Sequence, residues 1–133
     1  MAVTAIDHVA VPIRNVAAMR AFYETFGFGW DATSAPHLYA VTLAKQKINF
    51  HDPSLWQNPK FTLRGPTATP GCGDFCFSWN GKFEELQQLL HELNLTVIEG
   101  PVERVGGAAV GTSVYVRDPD GNLVEFILYE DEP

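Results

Sequence analysis

The most informative stretch of this sequence lies at residues 116–126, which read VRDPDGNLVEF. The segment DPDGN in its middle favours a tight turn, because proline presets φ, glycine tolerates positive φ, and Asp and Asn side chains bond to nearby backbone. The flanks, Thr112 to Arg117 and Leu123 to Tyr129, are rich in apolar and β-branched residues, which favour strands. The stretch therefore predicts a β-hairpin across Asp118 to Asn122.

Upstream of this hairpin, the first half of the chain predicts a strand, a helix and then three strands. Ile6 to Ile13 is apolar and β-branched at almost every position, as in a buried strand. After Asn15, a candidate N-cap, apolar residues recur every three or four positions, which indicates a helix, and Gly27 ends it. Further strands are predicted at Tyr39 to Leu43 and at Lys47 to His51.

The second half repeats this order of elements. Residues 74–79 (DFCFSW) predict a strand, an apolar stripe from Phe83 to Leu93 predicts a helix, and Thr96 to Ile98 predicts the start of another strand. With the closing hairpin, the sequence predicts an α+β fold of two tandem βαβββ modules within a single domain, residues 1–133. We place module one at about residues 4–52, a connecting loop at about 53–72 and module two at about 73–130.

The composition excludes several classes of function. Sixteen acidic residues against nine Lys plus Arg, a net charge of −7 and no basic run offer no footprint for nucleic acid or an anionic membrane. No apolar stretch approaches the roughly 20 residues of a membrane span, and Met1 to Thr4 lacks the features of a signal peptide. Cys72 and Cys76 match no zinc motif and are expected to be buried thiols in a reducing compartment. We therefore expect a cytoplasmic protein whose partner is a small molecule.

Four polar residues interrupt predicted apolar strands, and such interruptions concentrate at functional sites. They lie in the first and last strands of each module, at His8, His51, Asp74 and Glu125. Each also has a purely structural explanation: a satisfied core histidine, an exposed strand end, a turn residue, or a glutamate paired with an arginine. If the two modules pair their sheets around a cleft, the four side chains could converge. Two imidazoles and two carboxylates suit a divalent metal such as Zn, Ni, Mn, Co or Fe(II).

Three stretches resemble a known family: IDHVAV at residues 6–11, AFYETFGF at 21–28 and the closing VRDPDGNLVEF at 116–126. Together with the duplicated module, they resemble the vicinal oxygen chelate superfamily, which includes glyoxalase I, extradiol dioxygenases, fosfomycin-resistance proteins and bleomycin-binding proteins. The resemblance covers nearly the whole chain. It implies an open, cleft-shaped mixed sheet and a homodimer, with the modules pairing either within one chain or across two chains.

The same resemblance implies metal ligands at His8, His51, Asp74 and Glu125. Family members usually carry His or Gln at the position of Asp74, and Cys76 is the alternative occupant of that ligand position. Extradiol dioxygenases and fosfomycin-resistance proteins have His there, so the resemblance favours neither of these two groups. Glyoxalase I has four protein ligands, as here, although it has Glu at the position of His51.

The function implied is that of a divalent-metal-dependent, glyoxalase-like lyase or isomerase. Its substrate would be a small compound with vicinal oxygens that passes through an enediolate-type intermediate, with Glu125 as the base and Asp74 as the alternative base. Two other functions stay open: an extradiol dioxygenase-like oxidoreductase, and a metal-free binding or resistance protein for an aromatic small molecule. We also expect Glu103 to Gly111 to form a mobile loop from which Arg104 closes on an anionic substrate.

Overall fold

The two predicted modules are each built as a four-stranded mixed sheet in the structure, a computed structural model that describes residues 1–130. One compact unit holds Met1–Gly73 and Pro119–Gly121, and the other holds Asp74–Asp118 and the chain from Asn122 on. Each contains a strand, a helix and three further strands in that order. The predicted α+β fold of two tandem βαβββ modules is confirmed.

The first unit has its first and last long strands side by side. Its elements are β1 (His8–Pro12), α1 (Val16–Thr25), β2 (Gly29–Asp31), β3 (Leu38–Leu43), β4 (Gln46–His51) and the short α2 (Pro53–Trp56). The strand order in the sheet is β1-β4-β3-β2, with β1 parallel to β4 and the other pairs antiparallel. This order leaves β1 at one edge of the sheet.

Helix α1 begins and ends as the sequence predicts. The side chain of Asn15 accepts a hydrogen bond from the backbone N–H of Ala18 at 3.0 Å, which satisfies one of the free donors of the first turn. Gly27 follows the helix with a φ of +95°, a conformation that costs glycine little. Between these ends, Tyr23 is fully buried and packs edge-on against the ring of Phe50, at 5.6 Å between centroids.

The second unit repeats this arrangement. Its elements are β5 (Asp74–Ser78), α3 (Phe83–Glu92), β6 (Glu99–Val105), β7 (Val110–Arg117) and β8 (Leu123–Leu128). The strand order is β5-β8-β7-β6, again with the first strand parallel to the last. Asn94, which follows α3, has a φ of +54° and so occupies the place that Gly27 has after α1.

The connecting segment after β4 packs on the first unit. The indole Nε1 of Trp56 donates a hydrogen bond to the carbonyl oxygen of Ile13 at 3.0 Å. The ring of Phe61 meets the imidazole of His51 edge-on, with centroids 5.3 Å apart. The two aromatic side chains therefore anchor a segment of low regular structure, as its composition suggested.

Three local expectations are wrong. Glu103 to Gly111 is no loop, because β6 runs to Val105 and β7 begins at Val110, with Gly106 N–H donating to the Ala109 carbonyl in a tight turn between them. The strand predicted from Thr96 begins instead at Glu99. Cys72 and Cys76 are exposed free thiols, where buried thiols were expected. None of the described helices is long and apolar enough to cross a membrane.

Candidate functional site

The two sheets share one strand register, which makes their positions comparable. In the first sheet His8 pairs with Lys47 across the parallel strands, and in the second Asp74 pairs with Leu123. Side chains on a strand alternate between the two faces of the sheet. The residue two positions after Lys47 or Leu123 therefore lies on the same face as the paired residues. That residue is Glu125 in the second sheet. In the first sheet it is Asn49, a position that the sequence reasoning missed.

In the first unit, this register places an imidazole and an amide on one face of the sheet. His8 is half-exposed, and its Nδ1 lies 2.7 Å from a carboxylate oxygen of Asp7. When Nδ1 carries the proton of that contact, Nε2 keeps its lone pair, as in many metal-binding histidines. Among the described residues, the Oδ1 atom of Asn49 is buried and has no hydrogen-bond partner.

His51 lies away from this pair. It pairs with Pro12, four positions along β1 from His8, which is about 13 Å of strand length. The residue is only 8% exposed, and burial followed by the nearby charge of Arg64 lowers the pKa of its imidazole. His51 is therefore a neutral histidine near neutral pH, and in register it corresponds to Ile127. Its predicted role as a metal ligand stays a prediction.

In the second unit, Glu125 lies on the central strand β8 and is held from β7. The Ser113 hydroxyl, on a residue with 0% exposure, donates a hydrogen bond to Oε2 of Glu125 at 2.6 Å. Asp74 and Cys76 lie on the same face, on the other neighbouring strand, and Cys76 is directly opposite Glu125. The second unit thus brings Asp74 and Glu125 onto one face on adjacent strands, with Glu125 two positions beyond the residue opposite Asp74.

The thiol of Cys76 is strongly affected by these neighbours. Loss of solvation raises its pKa to about 12, with further contributions from the charge of Glu125, a hydrogen bond to Glu125 and the charge of Asp74. Cys76 is therefore protonated at neutral pH. A protonated thiol can serve Glu125 as a weak donor, and the alternative role of Cys76 as a metal ligand stays a prediction.

A cation also lies on this face, on β6. The Nε of Arg104 donates to the Tyr115 hydroxyl at 3.0 Å, and a terminal nitrogen contacts the Glu99 carboxylate at 2.9 Å. Tyr115 pairs with Glu125 across β7 and β8. Arg104 is thus fixed by two partners in a strand, where the sequence reasoning expected a closing loop.

The donor types at these positions suit a divalent metal. Imidazole nitrogen with amide and carboxylate oxygens is a set that borderline metals accept, and the buried unpaired Oδ1 of Asn49 is an acceptor available for such a role. Within residues 1–130, no group of three or more His, Cys, Asp or Glu could hold a metal ion. The metal set His8, His51, Asp74 and Glu125 stays a prediction.

Residues 5–126 match the family model of the glyoxalase/bleomycin resistance protein/dioxygenase superfamily. The virulence protein STM3117 of Salmonella typhimurium is 32% identical over 130 residues, which cover 97% of this chain and 87% of that protein, and its crystal structure matches with a TM-score of 0.85. The glyoxalase domain-containing protein RDO1 of Mycosarcoma maydis is 30% identical over 131 residues, 98% of this chain and 72% of that protein. The crystal structure of lactoylglutathione lyase from Agrobacterium tumefaciens is 25% identical, with a TM-score of 0.72 over 96% of this chain and 95% of that one.

Proposed function

Because the chain belongs to the glyoxalase/bleomycin resistance protein/dioxygenase superfamily, we propose that it is a divalent-metal-dependent, glyoxalase-like lyase or isomerase. Its substrate is a small molecule with oxygens on adjacent carbons, such as a hemithioacetal or a hydroxyketone. The observation that carries the proposal is the placement of Glu125, a carboxylate in the apolar strand LVEFIL, on a face that also carries Asp74 and Arg104.

The proposed metal ligands are His8, His51, Asp74 and Glu125, the four positions predicted from the sequence. The shared register adds Asn49 as an alternative to His51, because Asn49 and Glu125 hold equivalent positions in the two sheets. A bound divalent ion would supply Lewis-acid chemistry, which lowers the energy of negative charge on the substrate oxygens.

The protein's own residues would move the proton. Glu125 takes a proton from the carbon next to the carbonyl and returns it to the former carbonyl carbon, while the hydroxyl proton passes to the former carbonyl oxygen, so the isomerisation balances without any other reactant. Asp74, on the same face, is the alternative base. Arg104, held by Glu99 and Tyr115, supplies a fixed positive charge for an anionic part of the substrate.

The test of this proposal is turnover by the Glu125→Gln variant. We expect wild-type protein loaded with Ni, Zn, Mn or Co to convert the hemithioacetal of methylglyoxal and glutathione, or a member of a hydroxyketone panel, and to exchange its carbon-bound proton with deuterated solvent. Glu125→Gln should lower that rate at least about 100-fold. The matched control is Glu103→Gln, because Glu103 lies on β6 with its side chain on the opposite face from Arg104. An unchanged rate in Glu125→Gln would remove the base from the proposal, and aromatic-ligand binding without any turnover would favour the metal-free binding protein.

We also propose a homodimer in a reducing, cytoplasmic compartment. The exposed free thiols of Cys72 and Cys76 support the compartment. Val9, on the edge strand β1, and Ile6, two residues before that strand, are exposed apolar side chains, and such edges favour pairing with another chain. Sedimentation of wild type, Val9→Lys and the loop control Leu63→Lys tests the dimer. A monomeric Val9→Lys beside two dimers is the expected result, and a monomeric wild type contradicts it.

A further inference from the structure

We propose that Ser113 is a positioning residue that engages Oε2 of Glu125 and so leaves Oε1 as the working oxygen of that carboxylate. This inference rests on the proposed function of Glu125 and deepens it. It concerns how the second unit orients the carboxylate of Glu125 for binding a metal or taking up a proton. Ser113 itself would contact neither the metal nor the proton.

The geometry of β7 and β8 makes the hydrogen bond specific. Tyr115 is directly opposite Glu125, and Ser113 is opposite Ile127, so Ser113 is the diagonal neighbour of Glu125 on the same face. The two oxygens lie 2.6 Å apart. A carboxylate accepts hydrogen bonds and does not donate them, so the hydroxyl is the donor, and bonds of this charged kind are about twice as strong as neutral ones.

Glu125 is also contacted from its other neighbouring strand. Cys76 on β5 lies directly opposite Glu125 in the parallel pairing of β5 with β8. The side chain is thus bracketed by a hydroxyl on one side and a thiol on the other. Such bracketing limits the rotamers of Glu125, and the hydrogen bond to Oε2 leaves Oε1 free of the Ser113 hydroxyl.

The first unit provides an internal comparison, because it has the same strands in the same register. The positions equivalent to Ser113, Tyr115 and Cys76 are Leu38, Ala40 and Ala10, all apolar. There, the oxygen equivalent to the Glu125 carboxylate is Oδ1 of Asn49, and it has no partner among the described residues. The fold therefore does not require a donor at this place. The second unit carries donors around Glu125 that the first unit lacks around Asn49.

Ser113→Thr and Ser113→Val test the inference, because the two variants have nearly the same shape and differ in the hydroxyl. The measurement is the Kd of cobalt(II) alone, followed by its d–d absorption. We expect Ser113→Thr to stay within about 3-fold of wild type and Ser113→Val to bind cobalt 10- to 100-fold more weakly, the usual range for loss of a residue that orients a metal ligand. Thr112→Val removes a neighbouring hydroxyl from the opposite face and should leave the Kd unchanged.

Glu125→Ala separates the two levels of the proposal. If Glu125→Ala binds cobalt as wild type does, Glu125 is no ligand and the metal part of the proposed function fails. If Glu125→Ala loses affinity while Ser113→Thr and Ser113→Val bind alike, only the positioning role of Ser113 is wrong. Ser113→Ala, which creates no extra bulk in the buried site, replaces Ser113→Val if circular dichroism shows that the valine variant is unfolded, and the same two outcomes apply to it.

Discussion

The carboxylate of Asp120 accepts a hydrogen bond from the backbone N–H of Arg14 at 2.6 Å, across 106 positions of sequence. A second bond, from the N–H of Asn15, reaches its other oxygen at 3.3 Å. Asp120 thus joins the turn between β7 and β8 to the residues that start α1. The segment DPDGN has a tertiary role in addition to its local turn preference, and Asp120 is only 7% exposed.

Asp120→Ala should destabilise the protein by about 1–3 kcal/mol, because it removes the charged acceptor of two part-buried backbone N–H groups. Asp120→Asn, which keeps one oxygen, should cost less than Asp120→Ala. Urea unfolding at pH 7 measures both. The exposed Glu84→Gln serves as a control with an expected change within about 0.5 kcal/mol. Equal stability of Asp120→Ala and wild type would show that the bond to Arg14 contributes nothing.

Asn94 offers a test of the repeat itself. Because Asn94 has a φ of +54° after α3, where Gly27 has +95° after α1, Asn94→Gly should be neutral or slightly stabilising. Asn94→Ala should cost about 1 kcal/mol, since an ordinary side chain is disfavoured in the left-handed region. Thermal unfolding of the two variants gives the comparison. An alanine variant as stable as the glycine variant would contradict the left-handed backbone conformation at residue 94.

The sequence predicts best those parts of the fold whose conformation depends on residues close together in the chain. Helix α1 and the closing hairpin depend on periodicity and turn residues within a few positions, and both were predicted. The sequence predicts a loop at Glu103 to Gly111 because three of its nine residues are glycines, two of them adjacent. In the structure, its ends pair as β6 and β7 around a four-residue turn, and which residues lie opposite one another determines its conformation.

The site shows the same limit. Asp74 and Glu125 could be found because each breaks an apolar pattern. Asn49 and Ser113 were missed, since their importance depends on which residues lie opposite them in the sheet. One signal was available: counting from the paired starts of the first and last strands would have matched Glu125 with Asn49 rather than with His51.

His51 predicts a pH dependence of stability in metal-free protein. Its pKa in the fold lies below the ordinary histidine value of about 6.5. The unfolded chain therefore takes up the proton first, and this contribution to stability is present above pH 6.5 and decreases as the pH falls below it. His51→Gln should flatten this part of the profile of unfolding free energy, and the exposed His91→Gln should not. If the unfolding free energy of His51→Gln fell below pH 6.5 as steeply as that of wild type, the pH dependence would belong to other groups.

The raised pKa of Cys76 predicts slow alkylation of its thiol. With a pKa of about 12, its thiolate fraction at pH 8 is very small, so alkylation by iodoacetamide should be roughly 100-fold slower than that of a free cysteine. The Cys72→Ser background isolates this thiol. Adding Glu125→Gln should accelerate the reaction, because the charge of Glu125 contributes to the raised pKa. Labelling as fast as that of free cysteine would show that Glu125 and Cys76 are not in contact.

The central claim, that this chain is a metal-dependent enzyme with Glu125 at its site, is tested most directly by metal content. Protein purified without chelator, and again after incubation with Ni, Zn, Mn and Co, is analysed by inductively coupled plasma mass spectrometry. We predict about one equivalent per chain in wild type and in Glu103→Gln, and a clear loss in His8→Ala and Glu125→Ala. Less than about 0.1 equivalent in wild type, with no uptake of any of the four metals, would contradict the account.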